Sequence, residues 1–337
     1  MKSTLDKYGR LIQEGRINPT KDVGNLGSGP IFNPADEETP LQVLGFGIYK
    51  LNGEVEGSQT GDREYVFCPM EGAFTVKTEG GEYQLEREGG PFSAPIGEST
   101  ASALYVPRDS SYEIMGKGEI IYYTAPSSRK MKPVLVAQGE KQNLSRGELF
   151  WRRNVITLIE PGISTNLNVG ETYSPPALWS GTPLHIHDVG NEELGESEHE
   201  EVYYHRSRMR DREVPNYTVQ LMFDAGTMHR AFLCPDRTAV AIPGGSHPVV
   251  ASPVSDCIYS YGLAGIEGPL GMRDLKDFAY LKKIGEFVST LREENDDKLT
   301  FTVPPDRLAR FAEQNGLDEL QAKVVELILK EWGISFA

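Results

Sequence analysis

WSGTPLHIHDVGNEELGESEHEEVYYH, running from Trp179 to His205, is the stretch on which the reading of the fold turns. His185 and His187 stand two apart in an extended-looking segment, and side chains two apart on a strand point the same way. The pair is therefore suited to chelation. After an acidic turn, Glu200 and Glu201 lead into Val202, Tyr203 and Tyr204, which open a β-branched and aromatic strand. Farther on, PGGSH sets His247 behind a turn rich in proline and glycine. Two imidazoles from one strand, a carboxylate and a third imidazole make a four-ligand site for a divalent metal, Zn or Mn first, with Fe or Ni as alternatives.

The same texture extends to both sides. Upstream, Leu41–Leu51, Glu64–Glu71, Ala73–Thr78, Glu82–Arg87, Ser102–Pro107 and Glu119–Ala125 are short, aromatic or β-branched, and separated by Gly, Pro or Asp turns. Around the histidines, Asn154–Ile159, Ser164–Tyr173, Tyr217–Phe223, Ala231–Cys234, Ala239–Pro243 and Cys257–Gly265 repeat the pattern. An all-β fold of two jelly-roll barrels of the cupin type is expected. Residues 1–40 read as an extended arm with at most one short strand, 41–125 as a first barrel, 126–150 as a polar linker and 151–275 as the second barrel. Residues 276–337 read as a helical extension. In it Leu317–Trp332 carries a broad apolar face, Leu299–Val303 is at most a short strand, and the tail serves as a structural cap or a dimer contact, which leaves a homo-oligomer open.

At 337 residues the chain has room for two domains. Its 34 basic and 49 acidic residues give a net charge of −15, which argues against nucleic acid or an anionic membrane as partner. An acidic small molecule would need a local cation to hold it. Cys68, Cys234 and Cys257 show no paired spacing, and no segment approaches the roughly 20 apolar residues of a membrane span, so a reducing cytoplasm is the expected home.

Alternation sorts the strand after the acidic turn. Glu201, Tyr203 and His205 share one face, and Glu200, Val202 and Tyr204 the other. Glu201 stands where a cupin places its carboxylate ligand, so the expected metal set is His185, His187, Glu201 and His247. His199 is expected to be exposed in the acidic turn. Asp188, directly after the histidine pair, is a candidate to orient a ligand histidine. The first barrel has no histidine and offers Glu64 and Tyr65 at the matching strand, so it is expected to be metal-free scaffold or interface.

Several pieces in order resemble the 5-deoxyglucuronate isomerases of inositol catabolism and the related 5-keto-4-deoxyuronate isomerases. They are RNV (Arg153–Val155), Gly170 and Glu171 of VGETY, WSGTPLHIHD (Trp179–Asp188), EEVYYH (Glu200–His205), VPNYTVQ ending in Gln220, IPGGSHPVVASP (Ile242–Pro253) and YSYGLAG (Tyr259–Gly265). In the first half TGDREYVFCPMEGAFTV (Thr60–Val76) and ALYVPRDSSYEI (Ala103–Ile114) match the same family. The resemblance spans roughly residues 40 to 275. It implies a bicupin fold, a metal on the four residues above, and aldose–ketose isomerisation of a deoxy-uronate, a small sugar acid. This chain differs in having Ile186 between the two histidines and Leu221 after Gln220, where the family tends to carry basic residues, and in its longer tail from about Tyr280.

Such a reaction moves a hydrogen between adjacent carbons while negative charge grows on oxygen. Tyr203, His205 and Glu200 are the candidate proton carriers by position, with Glu200 turned away by alternation. Arg153, Arg206, Arg208 and Arg230 are the guanidiniums available for a carboxylate, and the sequence does not rank them. Arg153 and Arg206, with Trp179 and Gln220, are carried as the expected substrate contacts. An Fe(II) dioxygenase and a non-catalytic sugar-binding cupin are the rival classes for the same ligand set.

Overall fold

The computed structural model describes residues 4–94, 98–209, 215–224, 226–265, 270–296, 298 and 300–336. Strands dominate. Helix α1 (Thr4–Gln13) comes first, then β1 (Thr20–Asp22) and β2 (Gly29–Phe32). Strands β3 (Gly45–Gln59), β4 (Arg63–Thr78), β5 (Gly81–Arg87), β6 (Ala103–Val106), β7 (Ser111–Pro126) and β8 (Val134–Val136) follow. With β2 they form a seven-stranded sheet in the order β2-β3-β7-β4-β6-β8, with β5 paired to β4.

The second half begins with β9 (Leu144–Arg146), β10 (Arg153–Ile159), β11 (Asn168–Ser174), β12 (Trp179–Ser180) and β13 (His185–Ile186). It continues through β14 (His199–Met209), β15 (Tyr217–Phe223), β16 (His229–Pro235), β17 (Thr238–Ile242), β18 (Val249–Ala251), β19 (Ser255–Gly265) and β20 (Arg273–Asp274). These build a seven-stranded sheet, β1-β17-β14-β19-β11-β10-β9, a four-stranded sheet, β12-β18-β15-β16, and the pair β13-β20.

Alternation sends neighbouring residues to different cores. On β14, Val202 and Tyr204 join Val66, Cys68, Ile121 and Tyr123 in a core between the two seven-stranded sheets. Tyr203 turns the other way, into a core with Met222, Val249 and Cys234 of the four-stranded sheet. Burial on both faces explains why these strands read as nearly continuous apolar runs. The sheets approach closely at Gly262, where an added methyl would stand 2.2 Å from the Tyr123 ring.

Two buried carboxylates in matching register tie the halves together. Glu64 lies opposite Ala125 of β7 and accepts the backbone N–H groups of Thr165, Asn166 and Leu167 at 3.0, 2.7 and 2.8 Å. Glu200 lies opposite Ala264 of β19 and accepts those of Gln42, Val43 and Leu44 at 2.7, 2.9 and 3.0 Å, with the Thr4 hydroxyl at 2.6 Å. Glu200 is thus a latch on the other half rather than a candidate proton carrier. Its acceptor capacity is taken up by four donors, on the face of β14 opposite to Glu201. Glu200→Gln is expected to lower unfolding free energy by about 1–3 kcal/mol in urea titrations, because buried N–H groups lose a charged acceptor. The metal content should not change, and loss of metal would contradict this role.

The expected extended arm contains a helix instead. Leu5, Tyr8 and Ile12 recur at helical spacing, and Tyr8 and Ile12 bury in the second half's core. The arm also adds β1 to the edge of β17. Nor is 126–150 a plain linker: β8 completes the first sheet on β6, and β9 the second on β10. Trp151, at its end, is buried under α2 (Tyr280–Glu293), whose Ile284, Val288 and Leu291 face it.

Past α2 come β21 (Phe301–Val303), α3 (Pro305–Gln314), α4 (Glu319–Glu331) and β22 (Ile334–Phe336), with β21 and β22 paired in parallel. Leu299, the expected start of the short strand, lies outside the described residues. Helix α4 opens on a capping box between Asp318 and Gln321, which fixes its start two residues after Leu317. No helix among the described residues is long and apolar enough to cross a membrane. All three cysteines are free and buried.

Candidate metal centre

Strand β14 carries Glu201 into the interior, and the turn PGGSH brings His247 against it. His247 Nε2 lies 2.8 Å and His187 Nε2 3.3 Å from Glu201 Oε2. One ligand atom from each of His187, Glu201 and His247 falls within 4.8 Å of the others, and all three residues are buried. His185 faces the same space, its ring centroid 6.3 Å from that of His187 and 6.1 Å from that of His247.

The ring nitrogens are sorted for coordination. Nδ1 of His185, His187 and His247 meets the carbonyls of Pro183, His199 and Gly245 at 3.0, 3.1 and 2.7 Å. A carbonyl can only accept, so each Nδ1 carries a proton, which leaves Nε2 as the nitrogen each imidazole offers to a metal. His247 Nε2 is buried and, despite its closeness to Glu201, has no aligned hydrogen bond. The two buried imidazoles and the carboxylate that come together fit a divalent metal, with the half-buried His185 beside them but outside that tight cluster.

Electrostatics agree with that fit. Burial works against ionising Glu201, but the close approach of His187 and His247 outweighs it and holds the carboxyl down at about 2. Burial, with His247 and His187 close by, pushes His185 down to about 4, so its imidazole is neutral at pH 7.

The supporting residues are ones the sequence reading missed or placed differently. Asp188 does not orient a histidine ring. Its carboxylate accepts the Gly245 N–H and so fixes the turn that presents His247, while its own N–H and that of Val189 donate to Glu196 at 3.2 and 3.0 Å. His199 is buried rather than exposed: it opens β14, donates its N–H to the His187 carbonyl at 2.7 Å and returns its own carbonyl to the His187 ring. The acidic turn folds back on itself, which a composition of Glu and Gly does not reveal. Gln220 is buried and donates to the carbonyls of His247 and Pro248 at 2.7 and 3.3 Å. It holds a candidate ligand in place.

Below the candidate ligands lies a second layer. Tyr203 packs 5.8 Å from the His247 ring and 4.4 Å from Tyr259, and Tyr259 lies 5.7 Å from His205. Tyr259 was missed; its signal is the alternation of Tyr259 and Tyr261 on β19. His205 bonds Thr218 Oγ1 through Nδ1 at 3.0 Å, and burial pushes its pKa down to about 3. Its buried Nε2 faces the Gln220 side chain, whose Oε1 is buried as well. Tyr203 and His205 thus lie on the Glu201 face, as alternation predicts.

Of the expected substrate contacts, Arg206 is on the wrong face: its Nε donates to Asp236 at 3.0 Å and its Nη1 lies 3.6 Å from Glu119 of the first half. Trp179 is half-buried and packs against the core of the C-terminal helices. Arg208 stacks on Phe92, and Arg230 lies exposed over Phe232. Arg153 is half-buried on the face of β10 that carries Val155, which packs against the core holding Tyr203 and Tyr259.

In the first half, Tyr65 follows Glu64 in the register position that Glu201 holds after Glu200. The rings of Tyr49, Tyr65, Phe67, Tyr112 and Tyr122 fill that interior, where no histidine is available.

Fold and site together define a β-rich cupin protein. Among solved structures it resembles an IolB-like protein from Salmonella typhimurium LT2, with a TM-score of 0.69 at 22% identity over 78% of this chain and 99% of that one. It also resembles oxalate decarboxylase from Bacillus subtilis, with a TM-score of 0.54 at 10% identity over 83% of this chain and 84% of that one. At these identities the likeness is one of fold.

The chain belongs to the KduI/IolB family, whose model matches residues 22–280. Its curated relatives include the 5-deoxy-glucuronate isomerase of Geobacillus kaustophilus (strain HTA426), 27% identical over 244 residues, 70% of this chain and 85% of the relative. The 5-deoxy-glucuronate isomerase of Listeria innocua serovar 6a is 25% identical over 241 residues, 67% of this chain and 83% of the relative.

Proposed function

We propose that this protein is a metal-dependent aldose–ketose isomerase of a deoxy-uronate, converting 5-deoxy-glucuronate to 5-dehydro-2-deoxy-gluconate in cytoplasmic inositol catabolism. Two cupin barrels in tandem, 41–125 and 151–275, divide the work. The second holds the metal on His185, His187, Glu201 and His247; the first is metal-free and supports it; residues 276–337 cap the second. The observation that carries the reading is the sorted set of imidazole nitrogens around Glu201, in a chain whose curated relatives are isomerases.

A divalent metal bound there supplies Lewis acidity for the neighbouring oxygens on which charge grows. The remaining work falls to the chain's own side chains. Tyr203, beside Glu201 and with its pKa raised by burial and by that carboxylate, stays protonated and is the donor that turns to a developing oxyanion when a metal engages Glu201. His205, one layer below on the Glu201 face and kept neutral by burial, is the group assigned to take or return a proton. The aromatic walls of Tyr203, Tyr259 and Tyr261 exclude water from the reacting carbons.

The test is a panel of deoxy-uronates and ordinary uronates incubated with metal-loaded protein and followed by NMR. Conversion of an aldose signal to a ketose signal is expected for at least one 5-deoxy or 4-deoxy sugar acid. A panel left unchanged over hours would defeat the isomerase reading.

A further inference from the structure

Arg153 is the one guanidinium of the four candidates that the fold brings into the interior of the second half without an acidic partner among the described residues. Its Nη1 donates to the carbonyls of Trp151 and Thr182 at 3.2 and 2.8 Å, which anchors the group. Gly147, with φ +72°, closes over it: an added methyl there would stand 2.7 Å from Nη1. Nε and Nη2 donate to nothing among the described residues, and they form the edge of a guanidinium that grips a carboxylate with two parallel bonds. The residue directly across the β10–β9 ladder is Arg146, a second cation rather than a counter-ion. A half-buried cation beside a like charge is unfavourable unless an anion completes it.

The surroundings say where that anion belongs. Arg153 shares a face of β10 with Val155, which packs on the core that holds Tyr203 and Tyr259, and Tyr203 also packs on His247. The guanidinium is therefore on the side of β10 that faces this core, anchored to the Thr182 carbonyl three residues before His185, toward the chamber of the candidate metal ligands. Arg206, by contrast, is neutralised by Asp236 and Glu119, and Arg230 is exposed on the surface. In a chain of net charge −15, an anionic substrate gains nothing from the overall field and depends on such a local cation.

We propose that Arg153 is the carboxylate-binding residue of this site. It holds the acid end of an open-chain sugar acid through Nε and Nη2, while the aldehyde end lies toward His187, Glu201 and His247. The proposal rests on the reading of that chamber as a sugar-acid site, and it makes the carboxylate, rather than the hydroxyl pattern alone, the feature that selects the substrate.

The test is calorimetric binding of D-gluconate and of its uncharged counterpart D-glucitol to metal-loaded protein, run beside the turnover assay. Wild type is expected to prefer the acid by about 100-fold. Arg153→Met should bring the two ligands to within a few-fold of each other while metal content stays the same. Arg153→Lys, which keeps the charge and loses the fork, should retain a preference of about tenfold. Should Arg153→Met fail to fold, the wild-type preference and the Lys variant still decide.

Equal binding of acid and alditol by wild type, or an undiminished preference in either variant, overturns the role of Arg153. The outcomes also separate the two levels. A wild type that prefers the acid through Arg153 yet converts no uronate upholds the inference and sinks the isomerase. One that converts uronates with Arg153→Met unimpaired does the reverse.

Discussion

His187→Ala is expected to leave the purified protein without its stoichiometric divalent metal and to lower isomerisation by at least about 10³-fold. His187, like His247, is held on both sides. Its Nδ1 is fixed by the His199 carbonyl at 3.1 Å, and its Nε2 is 3.3 Å from Glu201. Alanine removes a nitrogen donor from the centre and leaves a buried carboxylate with one imidazole partner fewer. Elemental analysis and NMR-monitored turnover on the same sample check both halves of the expectation. Retained metal with lost turnover would move His187 out of the ligand set and into the substrate's surroundings.

The second large effect lies far from the centre. Arg87 on β5 is fully buried and forms a two-pronged pair with Glu171 on β11, Nη1 to Oε1 at 2.5 Å and Nη2 to Oε2 at 2.8 Å. Tyr173 donates to the same carboxylate at 2.6 Å, and Thr100 accepts from Arg87 Nε at 3.1 Å. Burial opposes the guanidinium's charge, but Glu171 more than offsets it, and the Arg87 pKa rises. Glu171→Ala strands that cation between the halves and should cost about 3–5 kcal/mol of stability in urea unfolding. Replacing both partners with Met should recover most of the loss, because the pair repays little beyond its own desolvation. A single variant within about 1 kcal/mol of wild type would mean that water reaches Arg87 there.

What could be read from the sequence was what is periodic and local. The alternation that separates Glu201 from Glu200 and the turn before His247 are found in the structure because each depends on a few consecutive residues, whereas the i, i+2 spacing sets His185 beside His187 but outside the tight cluster. The strand texture forecast the β-rich fold for the same reason. What stayed hidden is non-local. Nothing near Arg87 announces Glu171, and nothing near Glu200 announces the N–H groups of residues 42–44 that occupy it. Strands β8 and β9 are three residues each, too short for any period to show. Helix α1 could have been read from Leu5, Tyr8 and Ile12, but Gly9 and the polar residues between them dilute the pattern. Arg153 could not be separated from Arg206 by type, since only the fold shows which of them meets Asp236.

Metal dependence is the property on which the isomerase assignment turns. Wild-type protein should be stripped with a chelator, shown by circular dichroism to keep its strands, and assayed by NMR with a 5-deoxy-uronate before and after Zn or Mn is restored. The stripped protein is expected to convert nothing, and addition of one equivalent per chain should restore turnover in proportion to the metal bound. A folded, metal-free protein that isomerises the sugar acid at the full rate would contradict the assignment of His185, His187, Glu201 and His247.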